Sequence, residues 1–283
     1  MGKLIDGLAI AEKIKKQTAL TVKKLKKKGI TPKLGVILVG NDKPSETYIR
    51  KKQQAAETAG IEFILKRFPA VIRAKKLIEE VKKIQATENL SGLIIQLPLP
   101  EKLYTPDVLN AVNPDIDVDC LTDTNIGKLV MRTNFIFPPT PYAVIQILKE
   151  LDTKISGKNI TIIGMGALVG KPLAIILANE GASVTTCNSR TKDTKAKCLR
   201  ADIIVTGVGK KNLLRGDMVK KGTVVIDTGI AFENGKMYGD VNRDEVLKKA
   251  SYLTPTPGGV GPITVALLLA NTVACAQRLK KYE

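Results

Sequence analysis

The sequence predicts an α/β protein made of two successive units, each with a parallel sheet. Three observations carry that expectation. Short apolar strand-like runs alternate with longer stretches of helical periodicity, the pattern of a parallel sheet covered on both faces. The alternation runs through two cycles, separated by the proline cluster Pro138-Pro139-Thr140-Pro141. The chain has 283 residues, 44% apolar and 25% charged, which suits two modest domains and argues against wholesale disorder.

The elements follow in order. Residues 8–28 read as a basic amphipathic helix, with Leu8, Ile10, Ile14, Leu20 and Leu25 near helical spacing. Residues 34–40 form a short buried-strand run ending in glycine, and residues 45–59 are helical. Residues 61–65 and 92–96 are the next two strands, the latter closed by Leu97-Pro98-Leu99-Pro100. In the second cycle residues 158–163 are a strand, Gly164-Met165-Gly166 a turn and residues 169–179 a helix. Residues 183–187, 203–205 and 224–227 continue the strand pattern. The expected domains are 1–138 and 139–260, with a last helix, 261–283, packing back on the first domain and an active-site cleft between the two.

Composition narrows the function classes. The sequence has no histidine, which excludes Ser-His-Asp chemistry and His-ligated metal sites, and no metal is expected. Its four cysteines, Cys120, Cys187, Cys198 and Cys275, form no CxxC pair and read as reduced thiols. There is no apolar leader, and the most apolar stretch, residues 263–276, is too short to span a bilayer, so a soluble cytoplasmic protein without a membrane partner is expected. The net charge of +18 points to anionic partners. Nucleic acid is not expected among them, because aromatic residues make up only 4% and do not interleave with the basic ones. Collection of anionic small molecules and a merely solvated basic surface both remain open.

Two groups of residues carry candidate chemistry. The strand–Gly164-Met165-Gly166-Ala167-Leu168-Val169-Gly170–helix segment is a phosphate-binding turn of the Rossmann kind, where glycines admit the pyrophosphate and the helix N-terminus attracts its charge. A tight turn without a ligand is an equal reading. After the next strand stand Asn188-Ser189-Arg190-Thr191, with no acid to hold a ribose hydroxyl and one cation, which tilts toward NADP over NAD. Separately, Tyr48 and Lys52 are four apart on one helix face, Gln96 ends a buried strand, and Asp117-Val118-Asp119 lies in a Pro- and Asp-rich loop. Taken singly, each of these is an ordinary solvated, capping or strand-end residue.

Together the segments resemble the bifunctional methylenetetrahydrofolate dehydrogenase/cyclohydrolase family. The matching stretches are Ser45-x-x-Tyr48-x-x-x-Lys52, Gln96-Leu97-Pro98-Leu99-Pro100, Asp117-Val118-Asp119, Thr140-Pro141, Val169-Gly170-Lys171-Pro172, Gly239-Asp240-Val241 and Pro257-Gly258-Gly259-Val260-Gly261-Pro262. The resemblance implies oxidation of 5,10-methylenetetrahydrofolate to the methenyl cation with a nicotinamide cofactor, then hydrolysis to 10-formyltetrahydrofolate. It implies that Lys52 is the catalytic lysine, that Tyr48 lies against the folate, that Gln96 contacts Lys52 and that Asp119 holds the pterin. It implies a folate site flanked by Pro257, Gly258 and Gly259, and a cofactor site lined by Gly164, Met165, Gly166, Ser189, Arg190 and Ile230. A homodimer serving one-carbon metabolism and purine biosynthesis is also implied.

The residue types suit that chemistry. Hydride loss needs positioning and no proton carrier, whereas water attack needs a base. A lysine serves as that base if burial and positive neighbours, here Arg50 and Lys51, lower its pKa. Five positions depart from the family's usual residues: Cys120 for Gly, Pro139 for Cys, Met165-Gly166 for Arg-Ser and Asn188 for His. Met165 removes a charge that favours the NADP phosphate, which keeps an NAD-linked or monofunctional dehydrogenase as the alternative.

Overall fold

A computed structural model describes residues 2–233 and 235–279. In chain order the elements are β1 (Lys3–Leu4), α1 (Gly7–Lys26), β2 (Lys33–Val39), α2 (Lys43–Ala59), β3 (Glu62–Phe68), α3 (Ala74–Thr87) and β4 (Gly92–Ile95). There follow α4 (Pro106–Leu109), α5 (Asp123–Val130), α6 (Pro139–Glu150), β5 (Asn159–Ile163), α7 (Gly170–Asn179), β6 (Ser183–Cys187) and α8 (Thr194–Arg200). The chain continues through β7 (Ile203–Thr206), β8 (Val224–Asp227), β9 (Ala231–Glu233), β10 (Lys236–Tyr238), α9 (Arg243–Val246), β11 (Tyr252–Leu253) and α10 (Val260–Leu279). The part of the expected last helix at 280–283 lies outside the described residues.

Two compact units result. Residues up to Ala11 join Thr140–Thr264, and Glu12–Pro139 joins the residues from Val265 onward. The first of these carries a six-stranded parallel sheet in the order β1-β11-β8-β7-β5-β6. The direction of winding reverses between β5 and β7, the kind of switch point where α/β sheets bind ligands beyond their strand ends. The edge strand β1 pairs with β11 although nearly the whole chain separates them. An antiparallel hairpin, β9 with β10, stands apart from the sheet.

The second unit has the parallel order β3-β2-β4. β2 is central and buried along almost its whole length, as the continuous apolar run Leu34-Gly35-Val36-Ile37-Leu38-Val39 demands. Beyond β4 the backbone of Asp117 continues the sheet as an isolated parallel bridge to Leu93. One face of the sheet packs with Val22, Leu25 and Ile49 and with Leu268, Leu269, Val273 and Cys275 of α10. The other packs against Leu77, Val81 and Ile84 of α3.

Most predicted strands stand within a residue or two of their expected places. The proline cluster differs from its reading as a simple separator, because Pro139 and Pro141 sit in the first turn of α6. Proline is tolerated there, since the first helical N–H groups have no partner within the helix. α10 is 20 residues long, longer than the apolar run read from the sequence, and is apolar and long enough to cross a membrane by length and composition. Most of that stretch is buried inside the protein.

Asn271 is the polar exception on α10. It is only 8% exposed and its Nδ2 donates to the carbonyls of Val118 (2.9 Å) and Phe137 (2.8 Å). Asn271→Ala leaves the buried Val118 carbonyl and the part-buried Phe137 carbonyl without that donor, and the expected cost is about 2–3 kcal/mol. A urea titration read by fluorescence or circular dichroism checks it; an unmoved midpoint would show that these two bonds carry no stability.

Candidate active site

α2 is fixed at both ends by its own sequence. The Asp42 carboxylate accepts from the Ser45 N–H (2.9 Å) and hydroxyl (2.6 Å), capping the N-terminus, and Gly60 at φ +79° ends the helix. Tyr48 and Lys52 therefore stand one turn apart on a rigid element, both partly buried. The Lys52 Nζ donates to Gln96 Oε1 at 2.9 Å. Gln96 follows β4 and its backbone N–H bonds to the Ile37 carbonyl, so the amide sits at the C-terminal edge of the central strands. Its own Nε2 donates to the Leu97 carbonyl at 2.6 Å, which turns the amide so that its oxygen faces the lysine.

The loop after β4 brings a carboxylate to the same place. Asp117 is buried and occupied by local donors: it accepts from the N–H groups of Leu121 (3.2 Å) and Thr122 (2.9 Å) and from the side-chain amide Nδ2 of Asn125 (3.0 Å). That leaves Asp119 as the carboxylate whose charge couples to Lys52. Between them and beyond, the chain turns sharply, with Cys120 at φ +55°. Glycine adopts this conformation freely; an L-residue pays about 1–2 kcal/mol for it. The Cys120 side chain is buried in the apolar cluster that also holds Cys275, so it packs into the core.

Burial governs the electrostatics. It pushes the Lys52 pKa down, opposed by the Asp119 charge. It pushes Asp119 up, opposed by the Lys52 charge, with Asp117 adding to the rise. Burial also raises the Tyr48 pKa, so its hydroxyl stays protonated. The expected help from Arg50 and Lys51 is not the cause of the lysine's shift: both are exposed, and Lys51 lies 5.9 Å over the Tyr48 ring. The thiol of Cys120 is held well above its ordinary range by burial and the nearby carboxylates, which makes it a poor nucleophile.

The other unit holds the glycine turn. Gly164 follows β5 at φ +107°, and a Cβ there would lie 2.5 Å from the Gly207 carbonyl oxygen, so only glycine fits. Gly170 begins α7 in such close contact that a Cβ would meet the Gly164 carbonyl at 1.9 Å. Gly166 is exposed with open space where a side chain would begin. A narrow bare-backbone turn at the switch point and at a helix N-terminus fits the pyrophosphate of a dinucleotide. Met165 is half-buried, Ile230 is 39% exposed, and Ser189 and Arg190 are exposed after β6. Asn188 shapes that last turn, its Oδ1 accepting from the Arg190 N–H at 2.9 Å.

Pro257, Gly258 and Gly259 belong to this same unit. Gly258 is at φ +98° with open space around it, and Gly259 is buried against the Pro255 carbonyl. Of the sequence-predicted residues, the structure thus joins Lys52 and Gln96 by a hydrogen bond, couples Asp119 to Lys52 through its charge, and places Tyr48 one turn before Lys52 on α2. Sequence reasoning missed the organising roles of Asp117 and Asn125. An acid two residues before Asp119, followed by Thr122 in a capping position, was the available signal.

These features define a protein with a dinucleotide-type glycine turn in one α/β unit and a buried lysine–carboxylate centre in the other. The chain belongs to the tetrahydrofolate dehydrogenase/cyclohydrolase family: the model of the family's catalytic domain matches residues 5–119, and that of its NAD(P)-binding domain matches residues 138–280. It is 45% identical over 279 residues to the bifunctional protein FolD of Nautilia profundicola, covering 98% of each chain. It superposes with a TM-score of 0.95 on the crystal structure of the bifunctional FolD methylenetetrahydrofolate dehydrogenase/cyclohydrolase from Campylobacter jejuni, at 39% identity and covering 99% of this chain and 100% of that one. The Trypanosoma brucei methylenetetrahydrofolate dehydrogenase-cyclohydrolase, complexed with NADP and an inhibitor, gives a TM-score of 0.94 at 36% identity, covering 99% of each chain.

The electrostatics make one direct prediction. An NMR titration of the Lys52 side chain should give a midpoint below the ordinary lysine value of about 10.4. Asp119→Asn removes the negative charge that favours the ammonium and should move the midpoint further down. A midpoint at or above the ordinary value would contradict the burial argument.

Proposed function

We propose that this protein oxidises 5,10-methylenetetrahydrofolate to the methenyl cation and then hydrolyses that cation to 10-formyltetrahydrofolate, with NADP as the hydride acceptor. One observation carries the reading: a buried lysine amine bonded to the neutral amide of Gln96, with Asp119 coupled to it by charge. The family membership and the bifunctional relatives support the same two reactions.

The residues divide the work. Burial lowers the basicity of Lys52, which gives one N–H to Gln96 Oε1 and, in its uncharged form, has a lone pair for a water proton. As that water adds to the methenyl carbon, its proton passes to Nζ and the folate's positive charge is discharged; the bond from that carbon to N5 then breaks, N5 takes a proton back, and the 10-formyl group remains on N10. Gln96 orients the amine without adding the negative charge that would lock it as an ammonium. Asp119, as a carboxylate, can accept paired hydrogen bonds from the amide-like edge of a pterin. Tyr48 offers a protonated phenol and a flat ring on the same helix face as Lys52. Bound nicotinamide supplies the acceptor for hydride. The turn at Gly164, Gly166 and Gly170 would cradle its pyrophosphate.

NADP is proposed over NAD because residues 187–192 hold no acid and place Arg190 in the open at the end of β6. Met165, uncharged where relatives usually carry arginine, is what favours an NAD-linked reading. The same resemblance implies a homodimer.

Two experiments test this. Lys52→Ala should reduce methenyl hydrolysis to the uncatalysed rate, about 10²-fold or more, in a folded protein; hydrolysis at the wild-type rate would refute the base. Arg190→Ala should raise the KM for NADP and leave that for NAD unchanged, as initial rates at matched concentrations would show. Equal effects on both cofactors, or none, would remove a phosphate role for Arg190.

A further inference from the structure

Two buried carboxylates lie beneath the loops at the ends of β5, β7 and β8, and neither belongs to the chemistry above. Asp240 is fully buried. Its Oδ2 accepts from the Val208 N–H and its Oδ1 from the Lys210 N–H, both at 2.7 Å. Asp227 is 4% exposed; its Oδ1 accepts from the Thr206 hydroxyl and the Gly229 N–H, both at 2.9 Å, and its Oδ2 from the Val241 N–H at 3.0 Å. Asp227 thus binds the backbone next to Asp240, and Asp240 binds the loop after β7, whose preceding Thr206 hydroxyl bonds Asp227. Their segments press so closely that a Cβ on Gly229 would lie 2.2 Å from the Asp240 carboxylate, and one on Gly239 2.0 Å from Asp227 Oδ2.

This clasp reaches the glycine turn through contacts with no slack. The Val208–Lys210 backbone follows Gly207, whose carbonyl lies where a Gly164 side chain would be. Gly207 in turn has no room for a Cβ beside Thr228 Oγ1, which donates to the Thr206 carbonyl at 2.6 Å. Gly209 packs against the carbonyl of Ile230. The position of the loop after β7 therefore sets the width of the turn after β5 and the place of Ile230.

We propose that Asp240 is a positioning residue for the dinucleotide: its buried carboxylate holds the Val208–Lys210 loop so that the Gly164 turn and Ile230 are preset for the cofactor. The inference rests on the cofactor site of the proposed function and adds a residue that does not touch the cofactor. Preset backbone lowers the ordering cost of binding, so losing it weakens affinity without removing a contact.

The oxidation uses the cofactor and methenyl hydrolysis does not, which separates positioning from folding. In Asp240→Asn one acceptor becomes an NH₂ group facing a backbone N–H. Calorimetric titration with NADP should show a Kd raised about tenfold or more. The KM for NADP should rise with it, kcat should change less, and methenyl hydrolysis without NADP should stay within about twofold. Hydrogen exchange at the Val208 and Lys210 amides should quicken while the amides of β5 and β7 keep their protection. An unchanged Kd in the folded variant overturns the inference. So does a parallel loss of hydrolysis, β-strand protection and circular dichroism, which would assign Asp240 to the fold alone. If the wild type itself binds no NADP, the cofactor reading falls, and this inference with it.

Discussion

An amine that must be uncharged to act needs surroundings that neither hydrate it nor pair it. Lys52 has one neutral hydrogen bond, to Gln96, and burial pushes its pKa down, the conditions that the base role proposed for it requires. Much of the second unit serves this contact. α2 is capped by Asp42 and stopped by Gly60, so Lys52 is carried on a helix of fixed register. β4 ends where Gln96 begins, and the Leu97 carbonyl fixes the amide's orientation. Asp119 keeps the balance from going too far, because its charge resists complete loss of the proton from Lys52. Burial and the Asp119 charge thus act on the Lys52 amine in opposite directions, with burial the larger of the two.

Carboxylates do two different jobs in this molecule, and their hydrogen bonds tell them apart. Asp117, Asp227 and Asp240 are spent on uncharged donors, backbone N–H groups together with Asn125 at Asp117 and the Thr206 hydroxyl at Asp227, and hold loops in place. Asp119 is coupled to a side-chain charge instead. Burial lifts Asp227 to a pKa of about 6; the backbone N–H groups of Asp240 and Val241 and the Thr206 hydroxyl oppose the rise, and the Asp240 charge adds to it. A buried acid that keeps its donors in this way is worth more as a fastener than as a proton carrier.

Much of the architecture was legible before any coordinates. The runs 34–40, 92–96, 158–163 and 224–227 are short, apolar and glycine-bounded, and each contains a strand at nearly those limits. The fine points were not, because they depend on partners remote in sequence. Nothing in Lys3-Leu4 announces a strand; it becomes one only by lying beside Tyr252-Leu253. The proline cluster reads as a break by composition, yet it opens α6 because the first helical turn does not need those N–H groups. At the site, Lys52 with Gln96 was readable from resemblance. The cause of the lysine's altered basicity was not: cations adjacent in sequence, Arg50 and Lys51, project to solvent, and depth of burial is a property of the folded chain. Cys120 shows the same limit, since its left-handed backbone is invisible in a string of letters.

The pairing of β1 with β11 has a consequence for biosynthesis. The strand made first in the described chain must wait for a partner about 250 residues downstream, and the second unit likewise lacks Leu268, Leu269 and Val273 of its core until α10 emerges. Neither unit can mature vectorially on the ribosome; both close late, when distant segments meet. A nascent chain of this topology keeps apolar sheet surface uncovered throughout translation, and its demand on holding chaperones should therefore exceed that of a protein whose domains follow one another along the sequence.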